Sequence, residues 1–232
     1  IWVHGASNGE LTAARPLIAA LIRRVPEAEL LVTTNSRTGR ALAAGWSLPR
    51  TTVRLAPLDQ RGLMRAFLDR TRPAALVMIE NELWPNRMFE CARRGIPVLV
   101  LGGRMSEKSF RFWTRLPGLA RPLMSAVRWL APQDEGSRGR FQALGLAPAA
   151  LGPTMVLKAA VAPLADAASP APDLPFDRSR TLLAASTHEG EEEAVLDAFA
   201  ALLPDHPGLR LILAPRHPRR RDQIEPLIAV RG

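Results

Sequence analysis

Short apolar runs alternate along the chain with segments whose apolar residues recur at helical spacing. Several of these runs are continuously apolar, which is typical of strands buried on both faces of a parallel sheet. The pattern predicts eight strands: Ile1–His4, Glu29–Thr34, Thr52–Ala56, Ala75–Glu80, Pro97–Leu101, Val127–Ala131, Thr181–Ala185 and Arg210–Ala214.

Helices are predicted between these strands. Leu11–Val25 has apolar residues at helical spacing, and Pro85–Gly95 has proline in its first turn and glycine at its end. Strands that alternate with helices indicate βαβ units, and therefore an α/β fold with parallel sheets.

The alternation stops at Gly152–Arg180, where five prolines and many alanines occur. This composition predicts a linker or a long crossing loop. We therefore predict a complete α/β domain over 1–151, a linker over 152–180, and the start of a second α/β domain over 181–232.

The chain is strongly basic, with 31 Lys and Arg against 22 Asp and Glu, a net charge of +9 and a pI near 11.3. This balance favours polyanionic partners, although an arginine-rich composition also arises from a GC-rich genome. The lone cysteine, Cys91, excludes an internal disulfide and a cysteine-based zinc site. No apolar run reaches the ~18 residues of a membrane span. Because the chain starts inside a predicted strand and stops inside a predicted helix, we expect it to be part of a longer protein.

Ligands of open α/β sheets bind at the carboxyl ends of the strands, so the residues after each strand are the candidates for chemistry. After the first strand comes Ser7–Glu10, with the pattern Ser-x-x-Glu. One interpretation is a capping box, in which Glu10 accepts the amide of Ser7 at the start of the helix. The other is a general base, with Gly5 and Gly9 allowing a ligand to come close.

The fourth strand leads into IENELWPN, Ile79–Asn86. If the extended conformation continues, Glu80 and Glu82 point to the same side, and two close carboxylates suit acid–base chemistry. Alternatively, one of them caps the helix that begins near Pro85 or pairs with an arginine. Trp84 is expected in the core.

A possible binding loop, Leu101–Ser109, follows the fifth strand, although a plain turn fits equally well. Beyond it, aromatic residues alternate with arginines from Phe110 to Arg121. This mixture suits a membrane interface or a phosphorylated lipid, and it also fits an ordinary helix with an arginine-rich solvent face.

The strands of the second predicted domain also lead into polar loops. Ala185–Glu193 combines hydroxyl residues and Gly190 with an acidic run, so it could bind an anion at a helix start or simply complement the helix dipole. Arg216 and His217 are placed to hold a phosphate or carboxylate, whereas Arg219–Arg221 are expected to be solvated.

Several motifs are missing from the sequence. The first strand is not followed by Gly-x-Gly-x-x-Gly, and no P-loop, nucleophile elbow or metal-ligand histidine spacing occurs. A dinucleotide-binding Rossmann domain and a P-loop nucleotide site are therefore disfavoured.

Taken together, HGASNGE, LLVTTNSRTG, IENELWPN, GGRMSEKS, ASTHEGEEE and LILAPRHP, in this order, resemble the 3-deoxy-D-manno-octulosonic acid (Kdo) transferase family. The resemblance implies a GT-B fold of two Rossmann-like domains. It also implies inverting transfer of Kdo from CMP-Kdo to a lipid A precursor in lipopolysaccharide biosynthesis, with no metal or other cofactor. The implied location is the cytoplasmic face of the bacterial inner membrane, reached through a short anchor segment before the present first residue, and nucleic acid is not an implied partner.

The resemblance also implies roles for particular residues. Glu10 matches the catalytic base, and Glu82 matches a second functional carboxylate. The implied donor-binding residues are Ser186, Thr187, His188, Gly190, Glu191, Arg216, His217 and Lys158. The implied acceptor-binding residues are Ser7, Asn8, Gly9, Arg37, Arg104 and Ser106.

The family pattern Gly-Asn-x-Lys is not intact, because GPTMVLKAA offers Lys158 but no matching asparagine. Two alternatives to Kdo transfer stay open: another GT-B enzyme that uses a UDP-sugar, and a non-catalytic basic module that binds anionic lipid or nucleic acid. We expect the 232-residue chain by itself to be catalytically inactive.

Overall fold

The computed structural model describes residues 1–80, 83–157 and 177–231. It contains the eight predicted strands, with ends displaced by one or two residues: β1 (Trp2–His4), β2 (Leu30–Thr34), β3 (Thr51–Leu55), β4 (Leu76–Ile79), β5 (Val98–Gly103), β6 (Val127–Pro132), β7 (Thr181–Thr187) and β8 (Arg210–Pro215). The helices are α1 (Asn8–Arg24), α2 (Arg37–Ala44), α3 (Arg61–Thr71), α4 (Pro85–Arg93), α5 (Glu107–Thr114), α6 (Pro117–Ala126), α7 (Glu135–Ala143), α8 (Glu191–Leu202) and α9 (Arg221–Arg231).

The described residues form two compact units. The first comprises residues 1–80 and 83–157, and the second comprises residues 177–231. In the first unit, six parallel strands form a sheet in the order β3-β2-β1-β4-β5-β6. In the second unit, β7 and β8 pair in parallel. The prediction of an α/β fold with parallel sheets is confirmed.

The strand order of the first sheet reverses between β1 and β4. From β1 the chain moves outward through β2 and β3, then returns to β4 and continues through β5 and β6 on the other side. Loops that leave two neighbouring strands at such a reversal diverge to opposite faces and open a crevice, which is where ligands of open parallel sheets bind.

Both faces of the first sheet are buried, as the continuous apolar runs predict. Trp2 in the central strand is fully buried, with its ring centroid 4.8 Å from that of Phe67 on α3. The guanidinium carbon of Arg87 lies 5.5 Å from the Trp2 ring centroid.

Cys91 is buried and free, and its burial raises the pKa of the thiol to about 12. The thiol is held protonated and is therefore a poor nucleophile, so Cys91 acts as a packing residue of the core.

The chain from Gly152 to Leu157 lies against the first unit, although the predicted linker begins at Gly152. The Gly152 amide donates to the Leu130 carbonyl oxygen at 2.8 Å, and the Met155 amide donates to that of Pro132 at 2.7 Å. A Cβ at position 152 would lie 2.6 Å from Trp129 Cε2, so the close approach to this strand requires glycine. The rest of the predicted linker up to residue 176 lies outside the described residues.

Within the described ranges, no helix has the length and apolarity needed to cross a bilayer.

Candidate functional site

The loop between β1 and α1 forms a hydrogen-bonded box around Glu10. Ser7 is the N-cap of α1, and its hydroxyl oxygen accepts the Glu10 amide at 3.2 Å. The Glu10 carboxylate accepts the Ala6 amide at 2.7 Å and the Ser7 hydroxyl at 3.0 Å. The capping interpretation is therefore confirmed, except that the backbone donor is Ala6 instead of Ser7.

Capping does not exclude a catalytic role for Glu10. Its side chain is partly exposed, and each carboxylate oxygen has two lone pairs that can accept hydrogen bonds. The box sets the direction of the carboxylate at the sheet reversal next to β4.

Polar side chains join β1 to β2 immediately before their loops. Thr33 Oγ1 accepts from Trp2 Nε1 at 2.7 Å and lies 2.8 Å from His4 Nδ1. All three residues are buried, so these hydrogen bonds fix the register of the two strands from which the loops emerge.

The loop after β2 contacts the loop after β1. Thr38 Oγ1 donates to Asn8 Oδ1 at 3.4 Å, and Ser36 caps α2 by accepting the Gly39 amide at 3.0 Å. Arg37 is exposed in the first turn of α2. The structure thus brings Arg37 to the same edge of the sheet as the exposed residues Ser7, Asn8 and Gly9.

The extended conformation of β4 does not continue through Glu80. The condition under which Glu80 and Glu82 would point to the same side is therefore not met at Glu80. Glu80 adopts a left-handed conformation with φ of 60°, while its amide still donates to the Leu101 carbonyl oxygen. The chain therefore turns directly after Ile79. Glu82 lies outside the described residues. Trp84 is 45% exposed, so its predicted place in the core is wrong.

The start of α4 is capped by Asp59, a residue of the β3–α3 loop that no motif in the sequence marks. Its carboxylate accepts the amides of Asn86 at 3.0 Å and Arg87 at 2.7 Å. The Asn86 side chain donates in return to the Asp59 carbonyl oxygen at 2.7 Å. These two amides are thus taken by Asp59 instead of Glu80. The sequence signal is weak, because Asp59 lies 27 residues from its partner.

Arg104 and Ser106 follow β5 at the same edge of the sheet. Arg104 is exposed, and Ser106 is the N-cap of α5, with its hydroxyl oxygen accepting the Ser109 amide at 3.2 Å. Between them, the Met105 amide donates to Ser137 Oγ at 3.0 Å. The loop is therefore anchored to α7, while the Arg104 side chain reaches solvent.

The aromatic and basic segment forms two helices, α5 and α6, separated at Arg115 and Leu116. Phe112 is 55% exposed and Leu116 is 40% exposed, and both are flanked by the exposed Arg111 and Arg115. These exposures fit both a lipid-contacting face and an ordinary arginine-rich solvent face, because single exposed apolar residues are common on protein surfaces.

In the second unit, the loops after β7 and β8 meet. Thr187, His188 and His217 line a cavity of about 290 Å³, together with Glu189, Arg219, Arg220 and Gln223. The Arg216 amide donates to the Thr187 carbonyl oxygen at 3.0 Å, which joins the two loops. Three of the predicted donor-binding residues therefore share one cavity.

Four other predicted donor-binding residues shape these loops. Ser186 and Gly190 have φ values of 61° and 88°, so the backbone turns sharply on both sides of His188. Glu191 accepts the His188 amide at 2.7 Å, which makes it a cap of this loop at the start of α8. Arg216 is exposed at the end of β8. Lys158 lies outside the described residues.

A buried ion pair connects the segment after β7 to the segment after β8. Glu192, fully buried in the first turn of α8, accepts from Arg220 at 2.5 and 3.1 Å in a bidentate arrangement. The guanidinium of Arg220 outweighs burial and lowers the pKa of Glu192. The expectation that Arg219–Arg221 are all solvated is therefore wrong for Arg220, whose side chain is only 14% exposed. Three consecutive arginines in a sequence do not indicate which of them pairs with a buried carboxylate.

Within the described part of the chain, no three His, Cys, Asp or Glu side chains are placed to hold a metal ion.

The chain is similar to solved structures of UDP-GlcNAc 2-epimerases. It matches UDP-GlcNAc 2-epimerase from Neisseria meningitidis with a TM-score of 0.64 and 14% identity, covering 99% of this chain and 69% of that one. The epimerase from Rickettsia bellii matches with a TM-score of 0.58 and 15% identity, covering 97% and 63%. These likenesses establish the fold, and the protein is of the GT-B α/β class, as predicted.

The sequence defines the family within that class. The family described as 3-deoxy-D-manno-octulosonic-acid transferase (kdotransferase) matches residues 1–161, and the chain belongs to this family. The enzyme of that name from Haemophilus influenzae is 30% identical over 236 residues, covering 98% of this chain and 54% of the relative. A probable mitochondrial 3-deoxy-D-manno-octulosonic acid transferase from Arabidopsis thaliana is 32% identical, covering 97% of this chain and 52% of the relative. The chain thus spans about half the length of the curated relatives it matches.

Proposed function

We propose that this chain forms part of an inverting, metal-independent glycosyltransferase that moves Kdo from CMP-Kdo to a lipid A precursor in lipopolysaccharide biosynthesis. The observation that carries the proposal is the Glu10 box. In a chain of the Kdo transferase family, a backbone N–H and a hydroxyl of this box hold a partly exposed carboxylate at the sheet reversal.

In this mechanism, Glu10 accepts the proton of the attacking acceptor hydroxyl. The freed oxygen forms a bond to the anomeric carbon of Kdo on the face opposite the phosphate, the bond from that carbon to the phosphate breaks, and CMP leaves with the electron pair. The N–H of Ala6 and the O–H of Ser7 hold the carboxylate still, so that little reorganisation is needed during proton transfer. Glu82 is proposed as a second functional carboxylate on family grounds.

The departing phosphate gains negative charge in the transition state, and donors fixed in advance stabilise such charge most. We assign this role to the loops after β7 and β8. His188 and His217 line the cavity there, and Arg216 lies exposed beside it. Ser186, Thr187, Gly190 and Glu191 shape the donor site, and Lys158 is proposed as a further donor contact.

The acceptor is proposed to be an anionic, phosphorylated glucosamine lipid. Arg37 and Arg104 are exposed at the carboxyl edge of the first sheet, and Ser7, Asn8, Gly9 and Ser106 offer hydroxyl, amide and backbone groups at the same edge. The net charge of +9 favours such an acceptor and an anionic membrane surface.

We further propose that the enzyme works at the cytoplasmic face of the bacterial inner membrane, with the α5–α6 face in contact with lipid. Phe112 and Leu116 are the exposed apolar groups of this face, and Arg111 and Arg115 beside them suit anionic headgroups.

The experiment is an assay of Kdo transfer from CMP-Kdo to a lipid A precursor. It uses a polypeptide of the relatives' length that carries this chain, with and without Glu10→Gln. The substitution keeps the size of the side chain, and its amide oxygen can still accept the Ala6 N–H, but it removes the base, so we expect the rate to fall roughly 10²–10⁴-fold. The matched control is Glu27→Gln, an exposed carboxylate in the turn after α1, which we expect to have no effect.

Each other outcome contradicts part of the proposal. Full activity of Glu10→Gln would show that Glu10 acts only as a helix cap. Absence of Kdo transfer, together with tighter binding of UDP than of CMP, would favour a GT-B enzyme that uses a UDP-sugar. Salt-sensitive lipid binding without transfer would favour the non-catalytic module.

A further inference from the structure

One residue, Ala6, links the Glu10 carboxylate to the neighbouring strand. Its N–H donates to Glu10 Oε2 at 2.7 Å. Its carbonyl oxygen accepts the Thr34 hydroxyl at 3.1 Å and the Asn35 amide at 3.3 Å. The orientation of Ala6 therefore depends on the end of β2 on one side and determines a contact of the carboxylate on the other.

Thr34 is well placed to control that orientation. It is the last residue of β2 and is fully buried, so its hydroxyl has few other directions available. Gly39 in α2 approaches it closely, because a Cβ at position 39 would lie 2.7 Å from Thr34 Oγ1 and 3.1 Å from Asn8 Oδ1. The absence of a side chain at position 39 thus leaves the room that the Thr34 hydroxyl occupies beside the loop of Glu10.

We infer that Thr34 is a positioning residue for Glu10: its hydroxyl holds the Ala6 peptide so that the Ala6 N–H fixes the direction of the carboxylate. Thr34 touches neither substrate nor reacting atoms. The inference rests on the proposed function, because it assigns Thr34 a role in catalysis only if Glu10 is the base. It also gives the TTNSRTG segment a part in the reaction beyond the exposed Arg37.

The test compares three substitutions in the same Kdo transfer assay. Thr34→Val keeps the shape and removes the hydroxyl, and the Ala6 carbonyl oxygen keeps its bond from Asn35. We expect kcat to fall about 10-fold, with the KM for CMP-Kdo unchanged, because a small misplacement of a catalytic group costs rate more than binding. Thr34→Ser retains the hydroxyl and should restore kcat. Gly39→Ala should lower kcat as Thr34→Val does, because its Cβ displaces the Thr34 hydroxyl.

The matched control is Thr71→Val in α3. Thr71 Oγ1 donates to the Phe67 carbonyl oxygen at 2.8 Å, so the same type of hydrogen bond is lost far from the loop. We expect this variant to lose a similar amount of thermal stability to Thr34→Val and to keep the wild-type kcat. A purely structural role for Thr34 would give both variants the same kcat.

The outcomes separate the two levels of the hypothesis. If Glu10→Gln is impaired while Thr34→Val keeps the wild-type kcat, Thr34 is not a positioning residue and the function of Glu10 stands. If Glu10→Gln is fully active as well, the assignment of the base is wrong and the role of Thr34 falls with it. Failure of Thr34→Ser to recover activity would also overturn the inference.

Discussion

Glu90 on α4 is surrounded by four arginines, and its replacement should weaken the first unit in a way that depends on pH. Its side chain is only 3% exposed. Oε1 lies 3.3 Å from Arg61, 3.0 Å from Arg65 and 3.3 Å from Arg93, and Oε2 lies 2.6 Å from Arg94. Glu90→Gln keeps the shape and removes the negative charge that these guanidinium groups share.

The magnitude follows from the pKa of the carboxyl group. Burial alone would raise the pKa of Glu90, but hydrogen bonds from Arg94 and Arg65 and the nearby positive charges outweigh burial and lower it from 4.5 to about 2. This difference corresponds to roughly 3 kcal/mol by linkage. Because the arginines are partly exposed, screening by solvent reduces the expected loss in Glu90→Gln to about 2 kcal/mol.

The sign of the pH dependence follows from the same numbers. A carboxyl group with a lowered folded-state pKa stabilises the protein above its unfolded-state value, and this contribution is lost as the pH falls toward about 2. The difference between wild type and Glu90→Gln should therefore be complete at pH 7 and shrink to less than half at pH 3.

The assay is urea unfolding followed by tryptophan fluorescence at both pH values, with melting temperatures as a second measure. At pH 7 we expect a decrease of roughly 4–8 °C. Glu135→Gln is the control, since Glu135 pairs with Arg138 at 3.0 Å while 74% exposed, and it should lose less than about 0.5 kcal/mol. An equal destabilisation by Glu90→Gln at pH 7 and pH 3, or one no larger than that of Glu135→Gln, would refute the electrostatic explanation.

Two further predictions concern the second unit and the α5–α6 face. Arg220→Met removes the arginine partner of the buried Glu192, so it should lower the unfolding free energy of the second unit and raise the KM for CMP-Kdo. Arg221→Gln, which removes an exposed cation next to it, should change neither; equal effects would contradict the loop-joining role. Phe112→Ser should reduce sedimentation with phosphatidylglycerol-containing vesicles about 5-fold or more. Leu58→Ser, at an exposed apolar residue elsewhere, should not, and equal losses would exclude α5 as the lipid contact.

Much of the architecture could be predicted from the sequence because local patterns determine it. All eight strands are present, since continuous apolar runs are stable as strands only when both faces are covered. The Ser-x-x-Glu pattern likewise predicted the cap of α1, because its partners are three residues apart. The family could also be identified, because its motifs occur in order along the chain.

Contacts between distant residues required the structure. Asp59 caps α4 from 27 residues away, and Glu192 pairs with Arg220 across 28 residues. The sequence marks neither partner, because a carboxylate or an arginine in a polar loop has the same local pattern whether it is solvated or buried. Glu80 was expected to remain extended, yet it turns to a left-handed conformation at the strand end.

The sequence by itself determined the strands, the parallel sheet, the candidate carboxylate Glu10 and the family, because each depends on residue types at short or ordered spacing. Only the tertiary structure decided which neighbours hold Glu10 in place. The Thr34 hydroxyl reaches the Ala6 carbonyl oxygen because β1 and β2 lie side by side in the sheet, although 28 residues separate them along the chain.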